Sequence, residues 1–271
     1  MESSLLYLKG GCSGYLQRGL SLRKFFSYSV RDPSYLGLSL LGLHVVDAVR
    51  LSRFLGISSR RALDLYREAL DLELLRHIKA RYMLAERLSS VGGGLDLYLA
   101  PYLYTIVRVL RSKVVVETGV GPGVSTCFIL LALERNGAGE LFSIDLPETD
   151  QEIYISMGMA KEFYRYLPEG WTPRWLVLNR LKRRWHLVLG DSKRLLPKLL
   201  RDLGSIDMFL HNSLHTYEHM IFEYTIAWKH LTPEGILASY DVDWNSDFED
   251  FCRAVGARRV IIKWRLRLAS L

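Results

Sequence analysis

The sequence predicts an open, doubly wound α/β fold with a mostly parallel sheet and a helical N-terminal extension. After residue 112, short apolar runs alternate with helical stretches, which is typical of strands joined by crossover helices. These runs are nearly continuously apolar, as strands covered on both faces require. From Tyr35 to about Leu88, apolar residues recur instead at spacings of three and four, and a further helical stretch follows before residue 111. We therefore predict a helical region over residues 1–110 and an α/β domain over residues 111–271.

The helical region follows from its apolar spacing. The stretch ALDLYREALDLELLRHIKARYMLAERL keeps apolar residues on one face and charges on the other, which predicts amphipathic helix. The run Val-Gly-Gly-Gly at residues 91–94 ends this pattern, and LDLYLAPYLYTIVRVLRS predicts a further helix with Pro101 near its first turn. This region is expected to form a lid, a cap or a dimer surface. Its tyrosines, Tyr98, Tyr102 and Tyr104, are expected in the core rather than in a pocket.

The α/β domain follows from the order of its segments. We predict strands at residues 114–117, 140–145, 186–189, 206–211, 235–240 and 259–263. Helices are predicted at residues 124–135, 192–203, 216–231 and 247–255. The segment 147–184 is too long for a simple connection, and we expect it to hold a helix and a basic loop over the carboxyl edge of the sheet.

Composition limits the class of protein. The chain has 271 residues, 49% hydrophobic and 24% charged, which is ordinary for a globular protein. No uncharged run reaches the roughly 20 apolar residues of a membrane helix, and the N-terminus lacks the pattern of a secretory signal. We expect a cytoplasmic protein that does not enter a membrane. Arginine is frequent, while Asn and Gln are scarce, as in many proteins from thermophiles.

Charge and cysteine content narrow the partners. The net charge is +7, and residues 174–201 hold nine basic residues against one acid. An acidic or phosphate-bearing partner suits this excess, but no nucleic-acid motif accompanies it, so nucleic-acid binding is a less favoured alternative. The three cysteines, Cys12, Cys127 and Cys252, have neither metal-binding nor disulfide spacing.

The stretch VVVETGVGPGVST, residues 114–126, predicts a ligand-binding loop. A strand ends in Glu117, three alternating glycines follow, and a helix then begins. In such folds nucleotide-like ligands bind at the carboxyl edge of the sheet, beside the helix N-terminus. A dinucleotide fingerprint would need a third glycine at Val124, which argues against NAD, and a phosphate loop would need a lysine after Gly123. A second acid, Asp145, ends the next strand, so the pair suits a ligand with a cationic group and ribose hydroxyls.

The pattern E-x-G-x-G-x-G, followed by an acid at the end of the second strand, resembles the class I S-adenosylmethionine-dependent methyltransferases, which have a Rossmann-like fold. The resemblance implies that Asp145 contacts the ribose of S-adenosyl-L-methionine. It further implies that the methionine part lies against the loop and the helix start, at Glu117, Gly119, Gly121, Gly123 and Ser125. In WHLVLGDSKRLLPKLL, the resemblance places Asp191 and Ser192 near the adenine as cofactor-binding residues. Asp191 would accept from the adenine amine, and Ser192 would cap the next helix. The alternative is that these residues only form a turn and helix caps.

The histidine-rich stretch LHNSLHTYEH, residues 210–219, resembles a bacterial and archaeal subgroup of small-molecule-type methyltransferases. On this fold His211 ends the fourth strand and His215 lies in the turn before a helix, so their regular spacing does not make a zinc site. The end of this strand would face the transferred methyl group. His215, and then His211, are the candidate bases for removing the acceptor proton, and Tyr217 would shape the acceptor site. The resemblance also gives His211 a place beside the cofactor. Alternatively, these histidines only satisfy backbone groups or pack.

Some relatives hold a divalent metal with acids at the ends of the fourth and fifth strands. The corresponding positions here are Asn212, Tyr240 and Asp241, so a hard cation would find too little negative charge unless Asp243 helped. We do not expect a metal, and Asp241, Asp243 and Asn212 are only weak candidates. The predicted function is methyl transfer to O or N of a small-molecule acceptor. The alternatives are a binding or scaffold protein, with RNA as one partner, and a nicotinamide-dependent oxidoreductase.

Overall fold

The computed structural model describes residues 45–88, 97, 99–146, 174–240, 245–262 and 266–271. The chain divides into two compact units, Met1–Val46 and Asp47–Leu271, and the second unit contains the whole sheet. The predicted division at residue 110 stays a prediction. Tyr98, Asp241, Asp243, Cys12 and most of the long segment after residue 146 lie outside the described residues.

Four helices precede the sheet: α1 over residues 45–55, α2 Ser59–Glu68, α3 Leu72–Leu88 and α4 Ala100–Leu110. Ser58 caps α2 by accepting a hydrogen bond from the backbone nitrogen of Arg61. Pro101 lies in the first turn of α4, where its missing N–H costs nothing. Tyr102 and Tyr104 are buried, and the Tyr104 hydroxyl donates to Glu68. These two tyrosines are therefore core residues.

Seven strands form one sheet in the order β3-β2-β1-β4-β5-β7-β6. They are β1 Val114–Thr118, β2 Glu140–Asp145, β3 Trp185–Leu189, β4 Ile206–His211, β5 Leu231–Tyr240, β6 Arg258–Ile262 and β7 Leu266–Ser270. Strands β1 to β5 are parallel, and β7 is antiparallel to both β5 and β6. The predicted doubly wound, mostly parallel sheet is confirmed, and β7 is a strand that the sequence prediction missed.

The helices of the α/β part are α5 Val124–Asn136, α6 Ser192–Leu203, α7 Tyr217–Trp228 and α8 Asp247–Val255, with a short 3-10 helix at Asn179–Arg184 before β3. The predicted helix over residues 216–231 was too long, because β5 begins at Leu231, four residues earlier than predicted. Leu231 already pairs with Ile206, and the register then shifts before Met208 meets Ile236. The intervening Thr-Pro-Glu-Gly therefore forms an irregularity within the strand rather than a loop.

The two faces of the sheet carry different helices. Side chains alternate along a strand, so the last two residues of β1 point to opposite faces. Glu117 contacts α5, whereas Thr118 contacts α7. Helix α4 packs on α5, while α6, α7 and α8 pack beside one another. The carboxyl edge of β1 and β4 thus lies between two sets of polar side chains, one on each face.

Within the described part of the chain, no helix combines the length and the apolar character needed to cross a membrane.

Candidate active site

The loop between β1 and α5 depends on close backbone approach. Gly119, Gly121 and Gly123 all have positive φ, at 78°, 52° and 98°. A Cβ added at Gly119 would lie 2.1 Å from the backbone oxygen of Asn212, and one at Gly123 would lie 2.8 Å from a methyl group of Val177. A Cβ at Gly121 would meet nothing within 4 Å. Gly119 therefore packs the loop against neighbouring backbone, Gly123 packs it against the Val177 side chain, and Gly121 presents an open, exposed surface.

Glu117 lies beneath this loop with its side chain fully buried. Its carboxylate accepts hydrogen bonds from Ser125 Oγ at 2.5 Å, Thr126 Oγ1 at 2.8 Å and Ser143 Oγ at 2.9 Å. Burial raises the pKa of Glu117 to about 7, although the three hydroxyl donors oppose the shift. The structure thus brings the predicted residues Glu117 and Ser125 together, with the carboxylate turned into the protein. Their contact with a ligand stays a prediction.

Asp145 ends β2 beside the same loop, and its carboxylate accepts from the backbone nitrogens of Val120 and Leu146. Burial raises the pKa of Asp145, while the guanidinium of Arg174 opposes the shift. Arg174 Nε lies 3.5 Å from Asp145 Oδ2. Arg174 also donates its backbone N–H to the Gly121 oxygen. Residues 174–176 therefore lie against the glycine loop, whereas the predicted helix and basic loop over residues 147–184 fall mostly outside the described residues.

The helix after β3 begins differently from the prediction. Helix α6 starts at Ser192, and its N-cap is Asp191, whose side chain accepts from the Lys193 backbone nitrogen at 2.9 Å. The predicted N-cap, Ser192, instead donates its hydroxyl to Glu223 at 2.5 Å. Ser192 is the first residue of α6, and its side chain points inward toward α7. Its hydroxyl therefore bonds to Glu223 and does not cap the helix. Cofactor contacts of this pair stay predictions.

A buried carboxylate, Glu223 of α7, joins the ends of β1, β4 and the start of α6. Its Oε2 accepts from Thr118 Oγ1 at 2.5 Å and from His211 Nδ1 at 2.6 Å. Its Oε1 accepts from Ser192 Oγ at 2.5 Å, His219 Nε2 at 2.9 Å and Ser213 Oγ at 3.0 Å. Glu223 and His211 have no exposed surface, and His219 is almost fully buried. We name these six residues the Glu223 cluster.

The electrostatics of the cluster favour an ionised carboxylate. Burial alone would raise the pKa of Glu223, but the charge and hydrogen bond of His211, together with those of His219, hold it well below its usual range. An ionised carboxylate only accepts hydrogen bonds, so both imidazoles must donate to it. The sequence prediction missed Glu223. Its spacing of four from His219 on one helix was the only local signal, because the other partners lie far away in sequence.

Of the remaining predicted residues, His215 and Asn212 lie beside the Glu223 cluster and the glycine loop, whereas Tyr217 lies apart from them. The His215 ring packs edge-on against His211, with 5.3 Å between ring centroids. Asn212 joins the loop after β4 to the glycine loop after β1, because its side chain donates to the Gly119 oxygen at 3.2 Å. Tyr217 is not part of this group. It is 40% exposed and its hydroxyl donates to Asp250 of α8 at 3.4 Å.

No group of three or more His, Cys, Asp or Glu side chains in the described ranges is arranged to hold a metal ion. Of the three weak candidates, Asn212 is engaged with the glycine loop, and Asp241 and Asp243 lie outside those ranges.

The chain matches one family model and resembles several solved structures. Residues 116–242 match the model of a family described as a methyltransferase domain. A comparison with curated proteins finds no match.

Solved structures with a similar fold include three methyltransferases. The O-methyltransferase TomG from Streptomyces achromogenes, in complex with SAM, is 15% identical with a TM-score of 0.48, covering 74% of this chain and 90% of that one. An O-methyltransferase from Bacillus cereus with SAH is 12% identical with a TM-score of 0.46, covering 74% and 91%. An SAH-bound methyltransferase from Podospora anserina is 12% identical with a TM-score of 0.44, covering 74% and 96%.

Proposed function

We propose that this chain, in which residues 116–242 form a class I methyltransferase domain, is an S-adenosylmethionine-dependent methyltransferase that acts on O or N of a small-molecule acceptor. The observation that carries the proposal is the position of the glycine loop. Strand β1 is followed in the sheet by β2 and β3 on one side and by β4 and β5 on the other. The loops after β1 and β4 therefore meet at the switch point where such folds bind ligands.

The residues at this edge suit the cofactor. Gly121 leaves open space above the loop, and the N-terminus of α5 lies beside it. The Asp145 carboxylate, at the end of the neighbouring strand, is of the type that accepts hydrogen bonds from a ribose diol. When bound, S-adenosylmethionine supplies a methyl group that is activated by the positive sulfonium. We propose that the chain aligns this group with the acceptor at the end of β4.

Proton removal is assigned to the histidines after β4. A hydroxyl acceptor must lose its proton on becoming a nucleophile, and imidazole is a suitable base near neutral pH. His215 is partly exposed, whereas His211 is buried, and the two rings pack edge-on against each other. We keep both as candidate bases.

Calorimetry with S-adenosylhomocysteine tests the cofactor assignment. We expect binding tighter than about 1 mM, which corresponds to roughly −4 kcal/mol, and no comparable binding of NAD. Asp145→Ala should weaken S-adenosylhomocysteine about tenfold or more, because it removes the acceptor for the ribose hydroxyls.

The matched control is Asp202→Ala, which removes an exposed carboxylate on α6 and should leave the affinity unchanged. Stronger binding of NAD would favour the oxidoreductase alternative. If neither ligand bound, the chain would more plausibly be a scaffold, and an RNA affinity that falls steeply with added salt would then identify the partner.

A further inference from the structure

We infer that Glu223 is a positioning residue for the proposed methyl transfer: its hydrogen bond fixes His211 with the proton on Nδ1, which leaves the lone pair of Nε2 for the acceptor proton. The inference rests on the proposed function and deepens it, because it names the group that prepares the base.

The hydrogen-bond pattern around Glu223 sets the protonation of both imidazoles. His211 donates from Nδ1 and His219 donates from Nε2. In their neutral forms the other nitrogen of each ring is then an acceptor. These acceptors, His211 Nε2 and His219 Nδ1, are both buried without a hydrogen-bond partner. The carboxylate therefore holds a proton on Nδ1 of His211 and on Nε2 of His219.

The free His211 Nε2 points to a missing partner. Leaving a buried acceptor unsatisfied costs about 1–3 kcal/mol, so a purely structural histidine would be expected to bond at both nitrogens. His211 ends β4, next to β1 and the glycine loop. A bound acceptor hydroxyl at this edge would supply the missing donor. His219 lies instead in the first turn of α7.

In the proposed step, His211 takes the acceptor proton while the methyl group moves from sulfur to oxygen. The O–H bond of the acceptor breaks and its proton goes to His211 Nε2. The oxygen forms a bond to the methyl carbon, and the S–C bond breaks with its electron pair left on sulfur. His211 becomes an imidazolium, and the negative charge of Glu223, 2.6 Å from Nδ1, stabilises it. A hydroxyl acceptor needs this arrangement most, because its neutral oxygen is a weaker nucleophile than a neutral amine nitrogen, which can react before it loses a proton.

Other charged and titratable groups face His211 from three elements. Asp247 of α8 interacts with it electrostatically. His215 contacts it from the loop, and Tyr224 packs against it from α7 at 5.5 Å between ring centroids. Glu223 and His219 of α7 also face His211, through a hydrogen bond and a ring contact respectively. Among the described residues, only Glu223 makes a charged hydrogen bond to the His211 ring. Removing its charge should therefore affect the His211 ring more than removing any other of these groups.

The test combines nuclear magnetic resonance with binding. In ¹⁵N-labelled protein with bound S-adenosylhomocysteine, His211 should carry its proton on Nδ1. In Glu223→Gln, which keeps the shape but removes the charge, the preference of the His211 proton for Nδ1 should be weakened or lost. Affinity for S-adenosylhomocysteine should stay within about threefold, because Glu223 is buried behind the loop. The matched control is Glu218→Gln, an exposed glutamate in the first turn of α7.

Activity gives a second readout. With tritiated S-adenosylmethionine and a panel of phenols and sugars as acceptors, Glu223→Gln should lower kcat about 100-fold with little change in KM. A proton on His211 Nε2 in the wild type would overturn the inference, and so would a wild-type kcat in the variant. The tautomer is measured on the wild type, so the inference is decided even if the variant does not fold. Failure of the wild type to bind S-adenosylhomocysteine would instead count against the proposed function.

Discussion

Gly119→Ala is expected to abolish S-adenosylhomocysteine binding and to lower the free energy of unfolding by about 3 kcal/mol or more. The added Cβ would lie 2.1 Å from the Asn212 backbone oxygen and 2.7 Å from the Ser213 Cα, so the two loops would have to separate. Backbone atoms cannot move aside as a flexible side chain can. Positive φ adds a further penalty of about 1 kcal/mol. Urea unfolding and calorimetry measure the two effects.

Gly121→Ala is the matched control for this prediction. Its φ is also positive, at 52°, but an added Cβ meets nothing within 4 Å. We expect only the backbone penalty of about 1 kcal/mol, with a folded protein that still unfolds cooperatively. Equal losses of stability in the two variants would show that the contact between the glycine loop and Asn212 is not tight in solution.

Glu117→Gln is expected to remove a pH dependence of stability that the wild type shows between about pH 4.5 and pH 8. The pKa of Glu117 is raised from 4.5 to about 7 in the folded protein. The folded state therefore binds the proton more tightly, and stability is complete below pH 4.5 and is lost as pH rises through 7. The shift corresponds to about 3 kcal/mol. Thermal unfolding at a series of pH values measures it.

Other groups affect this measurement less or in a known direction. The raised pKa of Asp145 adds a loss of the same sign, which remains in the variant. The lowered pKa of Glu223 has the opposite sign, and its stabilisation is lost only as pH falls below 4.5. Glu218→Gln controls for removing an exposed glutamate and should follow the wild type. A Glu117→Gln profile parallel to the wild type would mean that Glu117 is already ionised with no penalty.

The sequence was sufficient for the fold and for the domain family. The prediction of a class I S-adenosylmethionine-dependent methyltransferase is confirmed by the family match over residues 116–242, and the predicted strands β1 to β5 are all present. Continuous apolar runs and the glycine loop encode these features locally. The resemblance of the histidine-rich loop to one subgroup stays a prediction, as do the assigned site residues.

What the sequence did not reveal depends on contacts that are distant along the chain. Strand β7, LRLAS, has neither length nor a clear alternation, and it is a strand because β5 and β6 pair with both of its edges. Glu223 looks like an ordinary helix residue until Thr118 and His211 are brought to it by the sheet. Arg174 is one of many arginines in its stretch, and only the fold places it beside Asp145.

The insertion of β7 between β5 and β6 has a consequence for hydrogen exchange. β6 pairs with β7 and with no other strand of the described sheet, so β7 connects it to the rest of the molecule. Any opening that unfolds β7 also releases the amides of β6. The amides of β6 must therefore exchange at least as fast as β7 unfolds, whereas β1, held between β2 and β4, exchanges only through deeper openings. We therefore expect β6 and β7 to form a separate unit of local stability at one side of the sheet, apart from the central strand β1 that leads into the glycine loop.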